Sequence, residues 1–174
     1  MFRENSSHIQ ENLFGTTSHL SKQQQKRLEK SREYFIYDNF FSQIDESIFS
    51  PLYFENNGRP NAAVNSLVTA AMMQSHNGWS VEYLIDQINF NILTRTAVGL
   101  KSIDGTPFCE ATYYNFQNRL QSHFEKTGEN LIDIQFEKLT KKQIETLELK
   151  TDIQRTDSFQ LLTNINLNSS VNIL

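Results

Sequence analysis

A chain of 174 residues has room for one packed domain, or for a small domain with a piece of another. Hydrophobic residues make up 38%, with thirteen Phe and six Tyr, which supports an aromatic-rich core and excludes wholesale disorder. Sixteen basic against twenty acidic residues give a net charge of −4, so no dense cationic surface is implied, and the single cysteine, Cys109, excludes an internal disulfide framework and suits a reducing cytoplasm.

The first twenty residues are polar apart from "LFG" (13–15) and read as an N-terminal arm, without the apolar core of a secretory signal. No apolar run approaches the roughly 20 residues of a membrane helix. From Ser21, placed as a cap, "SKQQQKRLEKSREYFI" predicts one helix to Ile36. Lys22, Lys26, Arg27, Lys30 and Arg32 make residues 22–32 the most basic stretch of the chain, opposed there only by Glu29. Such a stretch suits phosphate contacts, although a solvated charged face is the commoner explanation. A second helix is expected over 38–49, ended by Pro51, and "ENNGRPN" (55–61) reads as a turn.

Val64, Leu67, Val68 and Ala71 then fall on one helical face, which "HNG" (76–78) ends. Ser80 caps the next helix, where Val81, Leu84, Ile85 and Ile88 repeat the spacing. Two amphipathic helices joined by a glycine turn make a helical hairpin or a helix-turn-helix. "GLKSIDGTPF" (99–108) reads as a loop. The next helix spans about Thr112 to Lys126, with Tyr113, Phe116, Leu120 and Phe124 on its apolar side and Gly128 as its stop. Helical pattern resumes over 129–148, with Thr140 as a candidate cap for a new start. Mixed periodicity over 150–157 fits a short strand ending at Asp157.

Little chemistry is legible from residue types alone. Four scattered His and one Cys lack the clustered spacing of a zinc site, and no phosphate-binding glycine loop is present. Thr112, Asn115, Arg119, Ser122 and Lys126 form the polar stripe of the 112–126 helix. Arg, Asn and hydroxyl groups suit base edges in a major groove, and cations suit phosphates. Spacing alone explains the stripe as well by solvation. Residues 58–128 hold five basic and five acidic side chains, so charge does not decide the matter. A carboxylate such as Asp157 at a strand end suits a divalent metal, whereas Asp followed by Ser equally marks a turn.

Several strings occur in an order that has a meaning of its own. "IDESIFSPLY" (44–53), "GRPNAAVNSLV" (58–68), "WSVEYLIDQINFNILTRTAVGL" (79–100), "ATYYNFQNRL" (111–120), "TGENLI" (127–132) and "QRTDSFQLLTNI" (154–165) follow "LFG". In that order the chain resembles the N-terminal part of bacterial insertion-sequence transposases of the DDE type, in the branch with an InsH-like helical N-terminal domain. The resemblance implies a mainly α fold with a helix-turn-helix-like core over 21–149. It further implies that 150–174 is the truncated start of an RNase H-like catalytic domain, opened by the strand over 150–157. Double-stranded DNA at the element's ends becomes the expected partner, with a second copy or the full-length transposase as the expected protein partner. Thr112, Asn115, Arg119, Lys126, Lys26 and Arg27 are the candidate DNA contacts.

Asp157 would be the first of three carboxylates holding two Mg2+ ions in the intact enzyme. No Asp or Glu follows it among these 174 residues, and Asp152 falls on the opposite strand face. One carboxylate cannot hold two cations about 4 Å apart. The expectation is therefore a truncated transposase that needs no cofactor and does not catalyse transposition alone. Two other readings stand beside it: a free-standing DNA-binding regulator that inhibits the full enzyme, and an inert or interaction-only remnant.

Overall fold

The computed structural model describes residues 1–6, 20–54, 60–100 and 108–147. The chain divides into two compact units, Met1–Thr140 and Lys141–Leu174. Of the second unit the described residues are Lys141 to Leu147, the last turns of a helix. The described residues are mainly helical and contain no strand. The strand expected over 150–157, and Asp157 with it, lies outside them.

Helix α1 (Lys22–Glu29) begins where the sequence places it. Ser21 Oγ accepts from Gln24 N–H at 3.3 Å, and Gln24 Oε1 accepts from Ser21 N–H at 2.8 Å. The single helix expected to Ile36 is instead two. Ser31 Oγ donates to Leu28 carbonyl at 2.6 Å and accepts from Tyr34 N–H at 3.1 Å, so one hydroxyl ends α1 and caps α2 (Arg32–Asn39). The helix expected over 38–49 is also replaced. After Asn39 come two 3-10 segments, Phe41–Gln43 and Glu46–Leu52, and Pro51 lies inside the second. Local side-chain bonds compete with the α-helical ladder here, as when Asp45 accepts from Ser47 N–H at 3.1 Å.

Helix α3 (Val64–Asn77) is the centre of the domain. All seven residues from Val64 to Ala70 are buried, so its first two turns have no solvent face, while Ala71 is only half-buried. A helix start without water must find protein partners for its first four N–H groups. Ala63, its N-cap, supplies no side-chain bond. The buried Glu46 does so from a distance: its Oε2 accepts from Val64 N–H at 3.0 Å and from Asn65 N–H at 3.4 Å. Asn65 Oδ1 takes Ser66 N–H at 2.9 Å, and Ala63 carbonyl takes Leu67 N–H at 3.1 Å. The other oxygen of Glu46 accepts from Asn5 N–H at 2.8 Å, which pins residues 1–6 to the same point.

Gly78, left-handed at φ 65°, closes α3, and Ser80 caps α4 (Val81–Phe90) through Tyr83 N–H at 3.1 Å. The short α5 (Ile92–Ala97) has no apolar period and was not expected from the sequence. Asn91 caps it through Leu93 N–H at 2.9 Å, and its buried Arg95 donates to Ile88 carbonyl at the end of α4 at 3.2 Å. α6 (Glu110–Thr127) ends at Gly128, φ 74°. Its Tyr113 and Phe116 are buried, but Phe124, expected on the apolar side, is 47% exposed. α7 (Leu131–Leu147) passes Thr140 without a break. The core gathers Phe41, Phe49, Leu67, Met73, Leu84 and Ile88 with Tyr113 and Phe116 around α3.

Two predictions follow from this packing. Gly99 sits at φ 75°, and a Cβ there would lie 2.1 Å from Cζ of the fully buried Phe41. Gly78 has a similar φ of 65° but open space around it. Gly99→Ala should lower stability by about 2–5 kcal/mol, from left-handed strain plus overpacking, whereas Gly78→Ala should lose about 1–2 kcal/mol. Urea denaturation of the two variants reads the difference, and equal losses would contradict the contact with Phe41.

The neighbours Asp45 and Glu46 should titrate in opposite directions. Burial raises Glu46 above its usual 4.5, against the N–H groups it accepts. The Lys138 ammonium, followed by Ser47, holds Asp45 below its usual 3.8. The Glu46 contribution to stability is therefore full below pH 4.5 and fades as pH rises through its folded value. The Asp45 contribution is present above pH 3.8 and fades as pH falls through its folded value. Carbon-13 carboxyl titration by NMR should place the two midpoints on opposite sides of this interval. Coincident midpoints would contradict it.

Candidate nucleic-acid interface

The outer side of α6 carries the polar stripe read from the sequence. Asn115, Arg119, Ser122 and Lys126 are exposed and Thr112 is half-buried. Helical spacing of 3 and 4 keeps them on one side. The stripe is not uniform. Its N-terminal half, Thr112, Asn115 and Arg119, forms one wall of a cleft of about 360 Å³, and Ser122 and Lys126 lie beyond it. The rest of the lining includes Tyr53 and Phe54, which follow the Glu46–Leu52 segment, and Asn61, which precedes α3.

Each wall is held by identifiable bonds. The Arg119 guanidinium lies over the Tyr53 ring, 4.9 Å from its centroid, which fixes a long side chain that would otherwise sample many rotamers. Phe2 packs against Tyr53 with ring centroids 5.9 Å apart. Asn61 Oδ1 accepts from Arg3 N–H at 2.7 Å and its amide donates back to Arg3 carbonyl at 3.1 Å. Burial raises the Tyr53 phenol above its usual 10, against the pull of the Arg119 charge, so the ring stays neutral and keeps its face for the cation. At the head of α6, Cys109 is the exposed N-cap, and its Sγ lies 3.4 Å from Thr112 Oγ1. That hydroxyl contact, with nearby backbone N–H groups, lowers the thiol below its usual 9.

Lys26 and Arg27 are exposed in the last turn of α1 and do not line the cleft. Thr112, Asn115 and Arg119 are thus brought together, and Lys26, Arg27 and Lys126 are separate cations. Tyr53, Phe54 and Asn61 carry no sequence signal of a site. They stand in a non-periodic stretch between Pro51 and the asparagine-rich turn, and only the docking of that stretch against α6 gives them a role. Among the described residues no group of three His, Cys, Asp or Glu lies close enough to hold a metal ion. Asp157 falls outside them.

No helix among the described residues is long and apolar enough to cross a membrane. No curated protein and no solved structure matches the chain. Residues 19–119, more than half of the sequence, match the family model described as Transposase domain (DUF772). The matched span runs from just before α1 to Arg119 and takes in both walls of the cleft. This chain belongs to that transposase-domain family.

Proposed function

We propose that the domain binds double-stranded DNA at the ends of an insertion sequence, as the N-terminal part of a DDE transposase of the InsH-like branch. The observation that carries this reading is the exposed stripe Asn115–Arg119–Ser122–Lys126 along one side of an 18-residue helix in a chain of the transposase-domain family. At 1.5 Å per residue α6 is roughly 27 Å long, and a B-DNA major groove about 12 Å wide admits a helix. Asn115 and Arg119 have the donors and acceptors that read purine edges. Lys126, with Lys26 and Arg27 of α1, supplies phosphate contacts.

The overall charge of −4 bears on how such binding works. A protein without an excess of cations gains little from general attraction to phosphate, so few contacts must carry the affinity. A shallow dependence on salt follows, with a slope near −0.9 for each phosphate neutralised.

Fluorescence anisotropy with an element-end duplex and an unrelated duplex, at matched salt, tests the proposal. The chain should prefer the element end by about 10³ or more. Arg119→Ala should lose about 5- to 150-fold on the element end, the equivalent of 1–3 kcal/mol, and relax the preference. Lys126→Ala should weaken both duplexes alike and flatten the salt slope by about 1. Equal affinity of the unaltered chain for the two duplexes would overturn the reading.

A further inference from the structure

The cleft beside α6 is not explained by duplex binding. It is a space of about 360 Å³. That volume is in the range of small-ligand sites, which begin near 300 Å³. The chemistry of the walls is specific. Phe54 is 82% exposed at the cleft, an apolar ring presented to solvent beside it. Asn115 is exposed, and its amide makes no hydrogen bond among the described residues. Arg119 is the only charged side chain in the lining; no carboxylate of the described residues stands there. An aromatic face, an amide edge and a cation 4.9 Å from the centroid of a second ring make a set suited to a planar, hydrogen-bonding ligand carried on an anionic backbone.

We infer that the cleft takes a single unpaired nucleotide, adjoining the duplex that lies on α6. Its base stacks on Phe54 and its polar edge meets Thr112, while Asn115 and Arg119, which read the adjoining duplex, border it. Stacking on an aromatic side chain is tolerant of base identity and is worth about 1–3 kcal/mol per base. This inference rests on the duplex reading for where the nucleotide comes from, but the cleft itself can be tested without a duplex.

The experiment compares the 174-residue chain on three DNAs of one duplex sequence: blunt, with a one-nucleotide overhang, and with an abasic overhang. Anisotropy titrations at fixed salt should show the nucleotide overhang binding about 5-fold tighter or more than the blunt duplex, as one stacked base implies. The abasic overhang should show little of that gain. Phe54→Ala should abolish the gain, bringing the overhang and blunt duplexes to equal affinity, and the ring is largely outside the core, so the fold should survive. An overhang without effect, an abasic overhang equal to the nucleotide, or a gain that survives Phe54→Ala would each overturn the inference. If the blunt duplex fails to bind, the duplex reading falls separately. A short single strand carrying 2-aminopurine then decides the cleft: its fluorescence should be quenched by the chain and not by Phe54→Ala, and an unchanged signal with the unaltered chain would overturn it.

Discussion

A carboxylate buried against the start of a buried helix holds the described domain together. Val64 to Ala70 are all buried, so the opening turn of α3 depends on the protein for its hydrogen bonds. Glu46 answers for two of those N–H groups and for Asn5 as well, and it sits at the positive end of the helix dipole. The helix start and the three N–H groups favour the ion, and burial disfavours it. Without the carboxylate, three buried or half-buried donors would be left with no acceptor, at a loss of about 1–3 kcal/mol for each one that water cannot reach. The N-terminal residues, the 3-10 segment and α3 are therefore one unit, because each supplies a bond the others need.

The cleft inherits its shape from that arrangement. Glu46 begins the 3-10 segment that ends at Leu52, and Tyr53 and Phe54 follow directly. Asn61 stands three residues before α3 and is clamped by Arg3. The part of the lining outside α6 is thus set by the same anchored segments, and α6 is set against them by Phe116, which packs on Phe49 with centroids 6.2 Å apart. Tyr113 locks α6 to α3 through Gln74 at 2.6 Å. Arg119 then comes to rest over Tyr53 with its position fixed before any ligand arrives. Such preorganisation reduces the ordering loss on binding. It matters more in a chain of net negative charge, where general electrostatic attraction contributes little.

The elements that the sequence revealed are those whose signals are local. Caps and period placed α4 and α6 within two residues and predicted the stop of α3 at Gly78. Ser31 defeated the same reasoning. A serine within a run of helix formers looks tolerable, yet its hydroxyl serves two helix ends at once. α5 was missed because six residues give no period, and its buried Arg95 looks like a surface residue in sequence. Phe124 shows the converse error: it has the period of a core residue, but α6 runs past the core before reaching it. The polar stripe was visible as a stripe. Its division into a cleft wall and an open end was not, because it depends on Tyr53 and Phe54 docking from more than fifty positions away in the chain.

The most direct test of the account is where DNA touches the protein. Backbone amide and arginine side-chain NMR signals can be followed while an element-end duplex is added at moderate salt. The account predicts that the largest shifts fall on Asn115, Arg119, Ser122 and Lys126, with smaller ones at Lys26 and Arg27 and none through the buried turns of α3. Shifts confined to α1, or spread evenly over the exposed cations with α6 unmoved, would contradict it.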